Sequence, residues 1–229
     1  MSHTATTAPP QSKQGIAMTY EEWLVSPETD GRQSEWVDGE VIDFMPPSVL
    51  HARIVGFLHS LLAWYVEAFE LGEVLPAPVE MRLQPGRSSR EPDLLFVANR
   101  HQARVGAQRV DGPADLVVEL ISDESVTRDR VEKFAEYQAA GIPEYWLLDP
   151  RSGHHRAQFF QLTDGLYRPV EPDADGRYRS AIVRGFWFRP AWLWRDPLPT
   201  RRACLLQIAP ETLGPSEAFA SREGGASNS

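Results

Sequence analysis

The chain has 229 residues, and its 32 acids outnumber its 23 bases to give a formal charge of −9. The length suits one large domain or two small ones with a sizeable core, and 42% hydrophobic with 24% charged residues excludes wholesale disorder. A lone cysteine, Cys204, excludes an intramolecular disulfide framework and suits a reducing, cytoplasmic setting.

Residues 1–16 are rich in Thr, Ala, Pro, Ser and Gln and read as a disordered leader without the apolar region of a secretory signal. No uninterrupted apolar stretch looks long enough to span a bilayer. Thr19-Tyr20-Glu21-Glu22 is a capping box and predicts a short helix. Glu35 to Ile42 reads as a hairpin turning at Asp38-Gly39. Ser48 predicts the cap of a long helix, with Leu50, Ile54, Leu58, Leu61, Tyr65 and Phe69 forming one apolar stripe. Val79 to Leu83 alternates like a half-buried strand. Asp93 to Val97 and Leu116 to Ile121 are apolar runs, as expected of strands covered on both faces. A helix is expected over about Val126 to Ala140, ended by Gly141 and kept from resuming by Pro143. Glu144 to Asp149 is another strand, and the segments from Gln158 to Phe188 look β-rich. From about Pro199 the composition suggests a loose tail, in which Leu205, Leu206 and Ile208 are the residues able to dock. The organisation expected is a leader over 1–16, one domain over 17–198 and a flexible tail over 199–229. Helices before and after a central sheet make the domain α/β or α+β.

The acids inside apolar strands are the informative residues. Glu119 interrupts Val117-Val118-Glu119-Leu120-Ile121, and Asp93 opens an apolar strand. A carboxylate buried without a partner costs several kcal/mol, so such positions usually pair with a cation or with hydrogen-bond donors. Either acid alone is explained by solvent or by one of the 21 arginines. Two on neighbouring core strands point to a shared proton or a hard cation such as Mg²⁺ or Mn²⁺. Only two lysines occur, Lys13 in the leader and Lys133 in the body. Lys133 falls on the helix after the Glu119 strand, with Tyr137 on the same face. Lysine, unlike arginine, can lose its proton when buried and act on water.

Pro92-Asp93, then Glu119 on the next apolar strand, then a helix with Lys133, Tyr137 and Gly141-Ile142-Pro143-Glu144-Tyr145-Trp146, resembles the PD-(D/E)XK nuclease superfamily. Met18 to Leu24, Glu35 to Val41 and Pro113 to Ser122 match, in order, its Uma-type restriction-endonuclease branch. The resemblance covers about Met18 to Trp194. It implies a restriction-endonuclease-like core with a central mixed sheet flanked by helices. It also implies metal-dependent hydrolysis of nucleic acid, DNA foremost, and a homodimer. By position it makes Asp93 and Glu119 the ligands of Mg²⁺ or Mn²⁺ and Glu35 the additional acid and third ligand. His51 occupies a family position near the site. The superfamily motif places lysine two residues after the acid; here that residue is Ile121, and Lys133 takes the lysine's place from the helix. Metal-dependent endonuclease is the leading reading. The alternative is a catalytically inactive nuclease-fold module serving protein interaction or regulation, and a third is a hydrolase of another phosphodiester.

The remaining candidates have plainer readings. Glu80 is read as pairing with Arg82, Asp115 as lying in solvent at a strand start, and His154-His155 as a loop. The aromatics Phe186 to Phe188, Trp192 and Trp194 are read as core or dimer packing. Acidity repels a phosphate backbone, whose affinity rests on cation contacts. Local relief is expected if Arg82, Arg87, Arg90, Arg100, Arg104 and Arg109, with Arg128 and Arg130, line one cleft near Asp93.

Overall fold

The computed structural model describes residues 16–26, 34–43, 47–84, 88–122 and 128–212. The leader up to residue 15, the chain beyond 212 and Arg87 lie outside them. β1 (Ile16–Ala17) leads to α1 (Tyr20–Leu24), capped reciprocally by Thr19 and Glu22 as the capping box predicts. β2 (Ser34–Val37) and β3 (Glu40–Asp43) form the expected hairpin, with Asp38 and Gly39 both at positive φ. Ser48 caps α2 (Val49–Ala68). Then come β4 (Gly72–Pro76), β5 (Glu80–Gln84), β6 (Ser88–Arg90), β7 (Leu94–Ala98), a 3-10 stretch over Asn99–Arg104, β8 (Arg109–Asp111) and β9 (Leu116–Leu120).

The helix expected over about Val126 to Ala140 is seen from its first described residue onward. Residues 123–127 lie outside the described set, Arg128–Glu132 form a wider π-helical turn, and α3 (Lys133–Ala139) follows. Gly141, at positive φ, ends α3 by donating to the Gln138 carbonyl, while Ile142 N–H reaches back to the Tyr137 carbonyl. β10 (Glu144–Asp149), β11 (Arg156–Thr163), β12 (Leu166–Pro169), β13 (Tyr178–Arg179) and β14 (Trp187–Phe188) complete the strands. α4 (Arg201–Ile208) ends the described chain apart from a 3-10 turn.

The central sheet runs β12-β11-β10-β9-β7-β4. Only β9 and β10 pair in parallel, joined by the crossover through α3, so the sheet is mixed. A second sheet runs β1-β3-β2-β6-β5-β8 and carries Glu35 on β2. Alternation divides the core strands between two cores. Leu94, Phe96, Val118 and Leu120 join α2, α4 and the C-terminal aromatics on one face. Leu95, Val97, Val117 and Leu147 join Tyr137 and Ile142 on the other. Phe186, Trp187, Phe188 and Trp192 are thus core residues.

One expectation about the outer parts is altered. The segment read as a loose tail begins with a docked helix, in which Cys204, Leu205 and Ile208 are buried and Leu206 stays exposed. Those three lie on one face, which gives even eight residues enough apolar area to pack. α2 is long and apolar enough to cross a membrane by length and composition alone, though His51, Arg53, His59 and Glu67 interrupt its apolar run. Ile54, Phe57, Leu58, Leu61, Leu62, Tyr65 and Val66 commit one of its faces to the core.

Candidate active site

Glu119 sits on β9 with its parity toward α3 rather than α2. It is 3% exposed. Lys133 opens α3 and is itself 2% exposed, so the helix brings an ammonium into the core. Its Nζ donates to Glu119 Oε1 at 2.9 Å and lies 2.9 Å from Glu35 Oε1. Tyr137, one turn along, donates its hydroxyl to the same Glu119 oxygen at 2.7 Å. Burial first, then the charges of Glu119 and Glu35, hold the Tyr137 hydroxyl well above its ordinary pKa, so it remains a donor.

Glu35 is fully buried on β2. Besides Lys133, it accepts from Arg90 Nη1 at 2.9 Å and from the Glu91 backbone N–H at 3.1 Å. Arg90, also fully buried, turns its other edge to Glu136 on α3, with Nε to Oε2 at 2.8 Å and Nη2 to Oε1 at 2.5 Å. Burial opposes the guanidinium charge, and Glu35 and Glu136 more than offset it, so the pKa of Arg90 rises. The result is one buried chain of alternating charge, Glu119–Lys133–Glu35–Arg90–Glu136, that links both sheets to α3.

Asp93 stands just before β7. The antiparallel register pairs Leu94 with Val118, and one step further sets Asp93 opposite Glu119. Asp93 Oδ2 accepts the Leu120 backbone N–H at 2.7 Å. Its Oδ1 lies 2.8 Å from His51 Nε2, where a proton on Nε2 makes the ring the donor. His51 is held in the first turn of α2 by the Ser48 cap, which accepts its backbone N–H. The Asp93 and His51 side chains are each 14% exposed, so this pair is where the cluster meets solvent.

The structure therefore brings Glu35, Glu119 and Lys133 into direct contact, and places Asp93 with His51 at the neighbouring strand end. Among the described residues no group of three or more His, Cys, Asp and Glu side chains converges as a metal site. The donor chemistry of the acids nevertheless fits a hard cation. Mg²⁺ keeps several of its waters and is commonly held by one or two carboxylates, the chemistry that Asp93 and Glu119 offer. Glu35 is engaged by Lys133, Arg90 and the Glu91 N–H.

Two participants escape sequence reasoning. Arg90 looks like any surface arginine in a chain that has 21. Glu91 precedes Pro92 in an ordinary loop pattern, yet its Oε2 is buried with no hydrogen-bond partner. Burial, then Glu35 and Glu80, push its pKa up to about 8.

Other readings change. Glu80 is held by Tyr20 Oη at 2.6 Å and Ser89 Oγ at 2.5 Å, while Arg82 lies over the Tyr20 ring. Asp115 is buried, because it accepts the Ala98 N–H and pairs with Arg100 and His101. Among the described residues the arginines around Asp93 are mostly engaged elsewhere and do not line one open cleft. Arg90 is enclosed, Arg100 serves Asp115, Arg104 binds the Pro113 carbonyl and Arg109 binds Asp111. Arg130 serves Asp149. His154 and His155 lie in a turn, as read, and His155 stacks on Trp194.

Known proteins resemble this chain in sequence or in fold. The Uma2 family model, described as "Putative restriction endonuclease", matches residues 18–191. The uncharacterized protein sll1609 of Synechocystis sp. is 25% identical over 137 residues, covering 58% of this chain and 75% of its own length. The crystal structure of "a putative nuclease belonging to DUF820" from Anabaena variabilis shares the fold, with a TM-score of 0.62 at 18% identity. That match covers 77% of this chain and 97% of the other.

Proposed function

This chain belongs to the Uma2 family, and from that premise we propose that it is an endonuclease hydrolysing nucleic acid, DNA foremost, at Asp93, Glu119 and Lys133. The observation that carries the reading is the body's one lysine, buried 2.9 Å from Glu119 on the strand that faces Asp93 in register. Mg²⁺ or Mn²⁺ held by Asp93 and Glu119 would supply Lewis acidity toward the scissile phosphate and lower the pKa of water there. The chain's own groups then have separate tasks. Lys133 presents a positive charge to the phosphate oxygens and orients the attacking water. Glu35 keeps that ammonium charged and aimed. Tyr137 fixes the rotamer of Glu119. His51 fixes Asp93 at the solvent-facing edge, where a strand would enter.

Lys133 bridging two acids also favours the second reading, a nuclease-fold module without activity, because the ammonium occupies the space between Glu35 and Glu119. Calorimetry with Mn²⁺ separates the two. An active site binds the ion in wild type and loses it in Asp93→Ala and Glu119→Ala, with cleavage of plasmid or single-stranded DNA falling at least ~100-fold. Lys133→Met should lose turnover and keep ion binding. Undiminished cleavage by well-purified Asp93→Ala or Glu119→Ala would sink the assignment, and absence of both ion binding and cleavage in wild type would favour the module.

A further inference from the structure

A groove of about 1160 Å³ runs between the first turns of α2 and the segment from Leu193 to Arg201. Its volume exceeds the roughly 300–1,000 Å³ of ordinary small-molecule pockets, which suits a stretch of polymer. Arg53, Arg195 and Arg201 line it. All three are exposed, and among the described residues none of them pairs with a carboxylate. In a chain of charge −9 the arginines at 90, 100, 109, 130 and 151 are taken up by acids, and among the exposed arginines that are not, such as Arg156, Arg168, Arg184 and Arg202, these three gather in one groove. The walls between the arginines are largely apolar, with Val49 and Leu50 exposed at 69% and 45%, and Asp196 is the one acid among the lining residues, against three arginines. At one end His155 and Trp194 stack with rings 5.2 Å apart and an interplanar angle of 1°. Neither His51 nor Asp93 lines the groove: Arg53 is two residues from His51 on α2, which sets the two side chains on opposite sides of the helix.

We infer that this groove binds a single strand of nucleic acid, with its phosphates on Arg53, Arg195 and Arg201 and an unpaired base on the Trp194–His155 stack. Charge complementarity and the nature of the lining together select this occupant. A duplex presents phosphates outward and needs no apolar wall, whereas unpaired bases offer flat apolar faces that stack on aromatic rings and arginine planes. The inference deepens the nuclease reading and rests on it for the class of ligand, though strand binding itself can be measured without cleavage.

The test is fluorescence anisotropy with labelled oligothymidylate and a duplex of equal length, in EDTA and over a range of salt. Arg53→Glu, Arg195→Glu and Arg201→Glu together should weaken oligothymidylate binding at least ~100-fold. They should also flatten the log K against log salt slope by about 2, at roughly 0.7 for each phosphate no longer neutralised. Arg168→Glu, an exposed charge outside the groove, should leave the slope within about 0.7 of wild type. Trp194→Ala should weaken binding about ten-fold with the slope unchanged, and His155→Ala supplies the same readout if Trp194→Ala fails to fold. Unchanged affinity and slope in the triple variant overturn the inference, as does tighter binding of the duplex. A wild-type dimer dissociated by Val49→Asp, without oligonucleotide binding, would overturn it in favour of a protein interface. Strand binding that follows these variants in a protein that cuts nothing would support the groove and refute the nuclease reading alone.

Discussion

Replacing Arg90 by methionine isolates the value of the buried charge chain. Methionine keeps an unbranched apolar stem in the space and deletes the guanidinium, which holds Glu35 at 2.9 Å and Glu136 at 2.8 and 2.5 Å. The two acids are not equally affected. The Glu136 side chain is 29% exposed and can turn to water, whereas Glu35 has no exposure. The cost therefore falls on Glu35, which still faces a Lys133 shared with Glu119. Removing one member of a buried pair costs about 3–5 kcal/mol, and the remaining lysine places this case near 3. At ~2–4 °C per kcal/mol for a body of this size, the midpoint of thermal unfolding should fall by about 6–12 °C. Circular dichroism at 222 nm is sufficient to measure it. Glu35→Gln supplies the second arm of a double-mutant cycle. Once Glu35 is neutral, Arg90→Met should cost about 1–2 kcal/mol less than in wild type. A midpoint loss under about 2 °C, or additivity within ~0.5 kcal/mol, would refute the claim that an uncompensated Glu35 sets the cost.

Two further predictions concern acids outside the site. Hydrogen bonding to Arg151, with burial opposing and Arg130 adding, lowers the Asp149 carboxyl to about 2 from an ordinary 3.8. A depressed folded pKa means stability present above 3.8 and lost as pH falls through 2. The midpoint deficit of Asp149→Asn should therefore be constant above about pH 5 and shrink between about pH 4 and 2, and a deficit that widens on acidification would be inconsistent with this. Glu144, fully buried, accepts from Trp146 Nε1, Tyr178 Oη, Ser180 Oγ and the backbone N–H groups of Ala181 and Ile182. Glu144→Ala strands these donors at about 1–3 kcal/mol each, short of additive, so a loss of at least ~4 kcal/mol is expected in urea unfolding. A loss below about 1.5 kcal/mol would mean water replaces the carboxylate.

Local chemistry was legible in the sequence wherever it was decided within a few residues. The Thr19 capping box, the Asp38-Gly39 turn, the Ser48 cap and the Gly141 stop are each complete within one turn of chain, and each appears in the structure. Strand alternation was equally readable, because it fixes the face without specifying the neighbour. The nuclease family was legible through an ordered set of motifs spread over the body. Contacts at long separation were not. Arg90 and Glu35 are 55 residues apart, and nothing in the pattern around Arg90 distinguishes a buried bridge from a solvated charge. Asp115 looked exposed because it begins a strand. Its burial is settled by the 3-10 stretch after β7, which folds Arg100 and His101 back onto it. Eight residues of α4 contain too few turns for a convincing apolar period, so its docking became visible only with the surface it covers.

The arginines show why net charge misleads in both directions. Total acidity argues against a nucleic-acid partner, and proximity in sequence argues for an arginine-lined cleft near Asp93. Either count treats every cation as available. A guanidinium already bound to a carboxylate brings no net charge to a phosphate, and breaking that pair to free it costs what the pair contributes. What matters for binding is charge that is exposed and uncommitted. By that measure the segment around Asp93 is nearly spent on folding, with Arg90 bridging Glu35 and Glu136 and Arg100 serving Asp115. Among the exposed cations left over, Arg53, Arg195 and Arg201 gather in one groove, drawn from α2 and from a segment about 140 residues later that only the fold brings together. A chain can thus be acidic overall, basic in its motif neighbourhood and still present its usable positive charge somewhere neither count identifies. For this chain that place is the groove between α2 and the segment from Leu193 to Arg201.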